Sequence, residues 1–97
     1  MIRHVVLFRF APDVAEQERA DLLAELASLP DRFPAMRRFA LGANRSDRDD
    51  RFGHAFSVEF DDLDALRAYL TSDEHETFVR DRFRPLVAER AIASWEA

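Results

Sequence analysis

A chain of 97 residues with 47% hydrophobic side chains, nine Phe, one Trp and one Tyr has the size of one domain and enough apolar mass to fold. This excludes a two-domain organisation and wholesale disorder. The absence of cysteine excludes disulfide staples, thiolate catalysis and Cys-based zinc sites. A net charge of -5 argues against nucleic acid as a partner, because phosphate binding needs a clustered basic surface; all fourteen basic residues are Arg, but they are scattered in the manner of solubilising cations.

The first segment, Ile2 to Phe10, is rich in β-branched and aromatic residues and ends at Ala11-Pro12, which reads as a strand. Ile2, His4, Val6, Phe8 and Phe10 share one face, and Arg3, Val5, Leu7 and Arg9 the other. Its apolar run is too short for a signal core or a membrane span, so a cytoplasmic location is expected. A helix is expected from Pro12-Asp13, with Asp13 and Glu16 at capping-box spacing and Leu22, Leu26 and Leu29 on one stripe. Pro30 is expected to stop it.

Met36 to Ala43 reads as a second strand. The polar run Asn44 to Arg51 reads as an exposed connection, and the alternating Gly53 to Phe60 as a third strand. Asp61-Asp62 supplies the next helix cap, ahead of Leu63, Leu66, Tyr69 and Leu70. After a break at Thr71-Ser72-Asp73, Asp73 and Glu76 have capping-box spacing for a further helix carrying His75, Phe78, Val79, Phe83 and Leu86. Pro85 limits that helix, and Ala91 to Glu96, with Trp95 inside it, reads as a final strand.

The order strand, helix, strand, strand, helix, strand is the ferredoxin-like split βαβ arrangement, an α+β domain with a four-stranded antiparallel sheet and both helices on one face. Apolar residues on both sheet faces then call for a second layer, which a chain of this length obtains from a second copy. The expectation is a homodimer packed sheet to sheet, closing into an eight-stranded barrel. The face carrying Val6, Phe8, Phe56 and Val58 is expected to form the contact.

The chain resembles the dimeric α+β barrel, or Dabb, domain family, also called the stress-responsive α/β barrel domain. The resemblance rests on Ile2-Arg3-His4-Val5-Val6-Leu7-Phe8-Arg9-Phe10, Leu29-Pro30, and Gly42-Ala43-Asn44-Arg45-Ser46. It continues through Phe56-Ser57-Val58-Glu59-Phe60-Asp61-Asp62, Leu66 to Tyr69, His75-Glu76-Thr77-Phe78-Val79 and Arg84-Pro85-Leu86. It implies the dimeric barrel. It also brings in plant stress-associated proteins and a plant polyketide cyclase that closes a ring by cofactor-free aldol chemistry. The cyclase's cavity residues match His4, His54, Tyr69 and His75 here. The lining around them shows no pocket for a long alkyl tail, so the cyclase substrate is not carried over.

Weighed on chemistry, Tyr69 and His75 form the catalytic candidate pair. A His that takes a proton and a phenol that stabilises an enolate or alkoxide suit proton abstraction beside a carbonyl. His4, Phe8, His54 and Trp95 are the ligand-binding candidates, with His54 expected at a distance from His4 along an antiparallel neighbour strand. A three-His metal site is not expected, nor a glycine-rich phosphate loop, a nucleophile elbow or any cofactor. The leading expectation is a dimer with an internal cavity for an aromatic or carbonyl compound, with cyclase-like or isomerase chemistry. The alternatives are a non-enzymatic stress-responsive dimer and, more distantly, a quinone-type oxygenase.

Overall fold

The computed structural model describes all residues from 1 to 97. In chain order it comprises β1 (Ile2–Phe10), α1 (Glu16–Ala27), a short α2 (Leu29–Arg32), β2 (Arg37–Ala43), β3 (His54–Phe60), α3 (Leu63–Thr71), α4 (Asp73–Phe78) continued by a π-helical turn (Val79–Phe83), and β4 (Val87–Glu96). The strands form one antiparallel sheet in the order β2-β3-β1-β4. This is the expected ferredoxin-like α+β fold, with β1 and β3 central and β2 and β4 at the edges.

The strict alternation of β1 decides where the core lies. Ile2, His4, Val6, Phe8 and Phe10 are all buried beneath the helices, together with Phe56, Val58 and Phe60 of β3. Leu22, Leu26 and Leu29 close the same core from α1 and α2, and Leu66, Tyr69, Phe78 and Phe83 from the second helical region. Burial of these side chains from water is the main favourable term for the fold.

This placement corrects the expected contact face. Val6, Phe8, Phe56 and Val58 are covered by the protomer's own helices, so they have no surface left for a second copy. The apolar groups on the opposite face are Val5, Leu7, Ala93 and Trp95, with Leu7 37% and Trp95 47% exposed. The period-2 alternation showed that both faces carry apolar residues but not which one the helices take.

Helix boundaries differ from expectation in physically readable ways. Asp13 does not cap α1; the chain turns once, with Val14 N–H donating to Ala11 O at 3.2 Å, and the helix starts after Ala15 without a side-chain cap. The turn's carbonyls are instead bonded by the Arg19 guanidinium, at 3.1 Å to Val14 and 3.2 Å to Ala11. Pro30 does not end the helical path, because it falls in the first turn of α2, where a missing N–H costs nothing. Asp62 caps α3 as expected, its carboxylate accepting from Ala65 N–H at 2.8 Å. At α4 the cap is Ser72 in place of Asp73. β4 starts at Val87, ahead of the expected Ala91, because Val87 to Arg90 continue the ladder against Phe10 to Phe8.

One residue outside glycine has positive φ: Arg38, at 50°. It lies in a bulge of β2 between the pairs Arg37↔Glu59 and Ala40↔Ser57. The extra residue re-phases the strand so that Phe39 stacks on Phe56 at 5.6 Å, on the core side. The Arg38 guanidinium meanwhile reaches the buried Glu59 carboxylate at 2.8 Å on the outer side, where Arg3 is also bonded to it.

Candidate functional site

The sheet and the α3–α4 layer do not pack fully against each other at the β4 side. A cavity of about 90 Å³ remains between them, with His4 and Val6 of β1, Tyr69 of α3, His75 of α4 and Ile92 of β4 in its wall. Val79 and Phe83 of the π-helical turn complete it. In that turn Arg84 N–H donates to Val79 O at 2.8 Å, five residues back, and such turns recur at functional sites.

His4 reaches the cavity because strand alternation puts it on the helix-covered face. Its Nδ1 lies 2.8 Å from Ser94 Oγ, the residue opposite it in the β1–β4 register. Tyr69 is buried, its ring stacked on Phe60 at 5.3 Å and edge-on to Phe33 at 4.9 Å. The rings of Tyr69 and His75 are 4.4 Å apart, and those of Tyr69 and His4 6.5 Å apart. The tyrosine therefore sits between the two histidines.

Ser72 makes the joint between α3 and α4. Its hydroxyl donates to Tyr69 O at 2.8 Å and accepts from His75 N–H at 3.2 Å. The single side chain thus satisfies one carbonyl at the end of α3 and one amide at the start of α4, and so fixes the backbone of both cavity residues. The His75 ring is set by a second bond, Nδ1 to Leu70 O at 3.1 Å. A carbonyl only accepts, so Nδ1 carries the proton and Nε2 is left with its lone pair.

Burial sets the protonation of all three groups. It lowers the pKa of His4, with the charge of His75 acting in the same direction. It lowers that of His75 more than the bond to Leu70 O and the nearby Glu76 raise it. The Tyr69 phenol is pushed far up by the same cause. Near neutral pH the cavity therefore holds two uncharged imidazoles and a protonated phenol. No group of the chain bonds the Tyr69 hydroxyl or Nε2 of either histidine, and none of these atoms is sealed from solvent-sized space. Three acid–base atoms thus stay open to one small volume.

The other three candidates lie elsewhere. His54 pairs with Phe8, four residues along β1 from His4, or about 13 Å at strand rise. It stacks on Phe8 at 5.6 Å and stands edge-on to Phe10 at the same distance. Its pKa is lowered by burial and then by the Arg19 charge, and its Nδ1 is buried without a partner. Phe8 is fully buried against Phe10 and Phe83 and does not line the cavity. Trp95 projects from the outer face beside Arg3, with the sheet between it and the cavity. Against these, Ser72 and Ser94 are contributors that the sequence reading passed over. Ser94 was accessible to it, since an alternating final strand with Trp95 outward puts Ser94 inward.

No group of His, Asp and Glu side chains has an arrangement that could hold a metal ion, and no helix is long and apolar enough to cross a membrane. A wide trough of about 550 Å³ lies on the outer sheet face, under the 44–52 connection. It is shallow and lined mainly by small and apolar side chains.

A ferredoxin-like domain with an acid–base cavity between sheet and helices defines the class. The sequence places it more closely: residues 2–97 match the Dabb stress-responsive A/B barrel domain, and the chain belongs to that family. Among solved structures it is similar to a Dabb family protein with a ferredoxin-like fold from Mesorhizobium loti, at 26% identity and TM-score 0.87, covering 99% of this chain and 95% of that one. It is also similar to a dimeric ferredoxin-like protein of unknown function from Thermobifida fusca, at 25% identity and TM-score 0.82, covering 99% and 90% of the two chains. A hydroxynitrile lyase from Passiflora edulis shares the fold at 20% identity and TM-score 0.87, with 97% and 90% covered. No curated protein matches the sequence.

Proposed function

We propose that the chain is a homodimeric small-molecule-binding barrel whose cavity takes a compact aromatic or carbonyl group, and that His75 and Tyr69 carry out proton transfer on it without a cofactor. The observation that carries this reading is the meeting of three uncharged acid–base groups, each with one free polar atom, in a single apolar cavity. His75 Nε2 has the lone pair to take a proton from a carbon or hydroxyl beside the carbonyl. The phenol of Tyr69, kept protonated by burial, donates a hydrogen bond to the oxyanion that forms. The imidazolium returns its proton when the product forms. His4 stands on the far side of Tyr69 and orients the bound molecule. The hydroxynitrile lyase of the same fold is precedent for an enzyme on this scaffold.

The dimeric state is supported by the T. fusca protein and by a dimeric relative from Bacteroides fragilis. In this chain the contact falls on the outer sheet face, where Val5, Leu7 and Trp95 otherwise meet water.

A thermal-shift screen of aromatic and β-keto compounds tests the site, because a ligand that binds only the folded state raises the melting temperature. The wild-type protein is expected to respond, with the shift reduced in His75→Gln and Tyr69→Phe and retained in His54→Gln. Any turnover should fall by roughly 10- to 10⁴-fold on loss of the base. Equal shifts in all these proteins would make the cavity residues structural and leave the fold as a non-enzymatic dimer.

A further inference from the structure

The arginines of this protein are almost all spoken for. Arg3 and Arg38 hold Glu59; Arg9 and Arg51 hold Glu89; Arg32, Arg37, Arg67, Arg80 and Arg82 face Glu74, Asp61, Asp64, Asp81 and Glu25. Arg19 is bonded to two backbone carbonyls. Four have no such partner: Arg45 and Arg48 in the exposed connection, and Arg84 and Arg90. The last two are brought together by the fold, one following the π-helical turn and the other on β4. They line one depression of about 180 Å³.

That depression adjoins the acid–base cavity, since Val79, Phe83 and Arg90 belong to the walls of both. The only carboxylate on it is Glu89, which is already engaged by Arg9 and Arg51. Two guanidiniums without a countercharge therefore stand at the entrance of a cavity whose interior is uncharged. The cavity alone, at about 90 Å³, falls well below the roughly 300 Å³ at which pockets for ordinary organic ligands begin. A ligand of that kind has to extend into the entrance, where it meets both cations.

We infer that the ligand is an organic anion, with its carbonyl or aromatic head in the His4–Tyr69–His75 cavity and a terminal carboxylate or phosphate held by Arg84 and Arg90. This rests on the cavity reading and adds the charge class of the ligand. Guanidinium is suited to the task, because its planar fork pairs with two oxygens of either anion at once. Such selection works by contrast. A neutral analogue of the same shape leaves the entrance cations with water alone, whereas the anion gains charge-assisted bonds.

Three probes of one shape test it: 4-acetylbenzoate, 4-acetylphenyl phosphate and the neutral 4-acetylbenzamide, titrated calorimetrically into wild type, Arg90→Met, Arg84→Met/Arg90→Met and His75→Gln. The wild type is expected to bind at least one anion about tenfold or more tightly than the amide, the worth of one charge-assisted bond, with the margin shrinking in added salt. Which anion is preferred identifies the natural terminal group. Removing both arginines should abolish the margin and leave amide binding unchanged, and His75→Gln should weaken all three probes while preserving it. Equal binding of anions and amide by the wild type, still weakened by His75→Gln, overturns the anion site and leaves the cavity reading standing. An anion preference untouched by His75→Gln detaches the arginines from the cavity and overturns the two-part site. No binding of any probe overturns both readings. A changed oligomeric state in the arginine variants by light scattering would assign these cations to contact between protomers and likewise overturn the proposal.

Discussion

Glu59 is 5% exposed and has two arginines on it, one of them held in a left-handed backbone conformation. The strain at Arg38 persists because the bulge serves both sides of the sheet, placing Phe39 in the core and the guanidinium on the carboxylate. Glu59→Gln is expected to destabilise the fold by roughly 1–3 kcal/mol, since it leaves two guanidiniums facing a neutral amide; urea denaturation measures it. The histidines give a second residue-scale expectation. All three have pKa values lowered below the ordinary 6.5 by burial, so the unfolded chain binds more protons than the folded one. Their contribution is complete above pH 6.5 and is lost as pH falls from there through the folded-state values. The carboxylates with lowered values, Asp61, Asp81 and Glu89, start from 3.8 and 4.5 and act only at lower pH. Melting temperature should therefore drop between pH 6.5 and about 5, and the drop should shrink in His4→Gln or His75→Gln. A flat profile over that range would contradict the burial of these rings.

Among the elements, the α3–α4 joint carries the most consequence. Ser72→Ala removes the cap of α4 and the bond to Tyr69 O together, and is expected to cost roughly 0.5–2 kcal/mol. It should lower ligand affinity or turnover beyond that loss of stability, because Tyr69 and His75 lose their common anchor; Ser72→Thr, which keeps the hydroxyl, should restore most of it. This joint also shows what the sequence could convey. The strands were legible because alternation and β-branched content are local signals, and His4, Tyr69 and His75 followed from face and break positions. Ser72 was read as part of a break, since three candidate caps stand in a row at Thr71, Ser72 and Asp73, and only tertiary packing selects among them. The reach of β4 back to Val87 was hidden for a similar reason, because Val87 to Arg90 gain strand structure from pairing with β1 rather than from their own composition. His54, Phe8 and Trp95 were grouped with the site by resemblance, and the sheet register separates them from it.

For the molecule as a whole, the decisive asymmetry is between the sheet's two faces. Leu7→Asp places a charge on the outer face, so in the proposed homodimer it is expected to give a folded monomer by light scattering and circular dichroism, as burying an unpaired charge at the contact costs several kcal/mol. Phe56→Asp puts the same charge under the helices, in a core position 5% exposed, and is expected to unfold the chain. A monomeric but folded Phe56→Asp, or a Leu7→Asp that remains a dimer, would contradict this assignment of faces.

The π-helical turn at Val79–Phe83 amounts to an α-helical turn with one residue too many, and this makes the cavity a matter of chain length. Deleting one residue there, such as Asp81, which bonds only its neighbour Arg80, would let the segment relax to regular α-helix. Everything beyond it would then rotate by about 100° relative to the preceding turn. Phe83 would leave the wall, and Arg84 would swing away from Arg90. A family built on this scaffold can therefore gain or lose its binding chamber by a single codon insertion or deletion, with every site side chain still present in the sequence. Counting residues between His75 and Pro85 thus tests for a chamber in ways that matching the residues themselves does not.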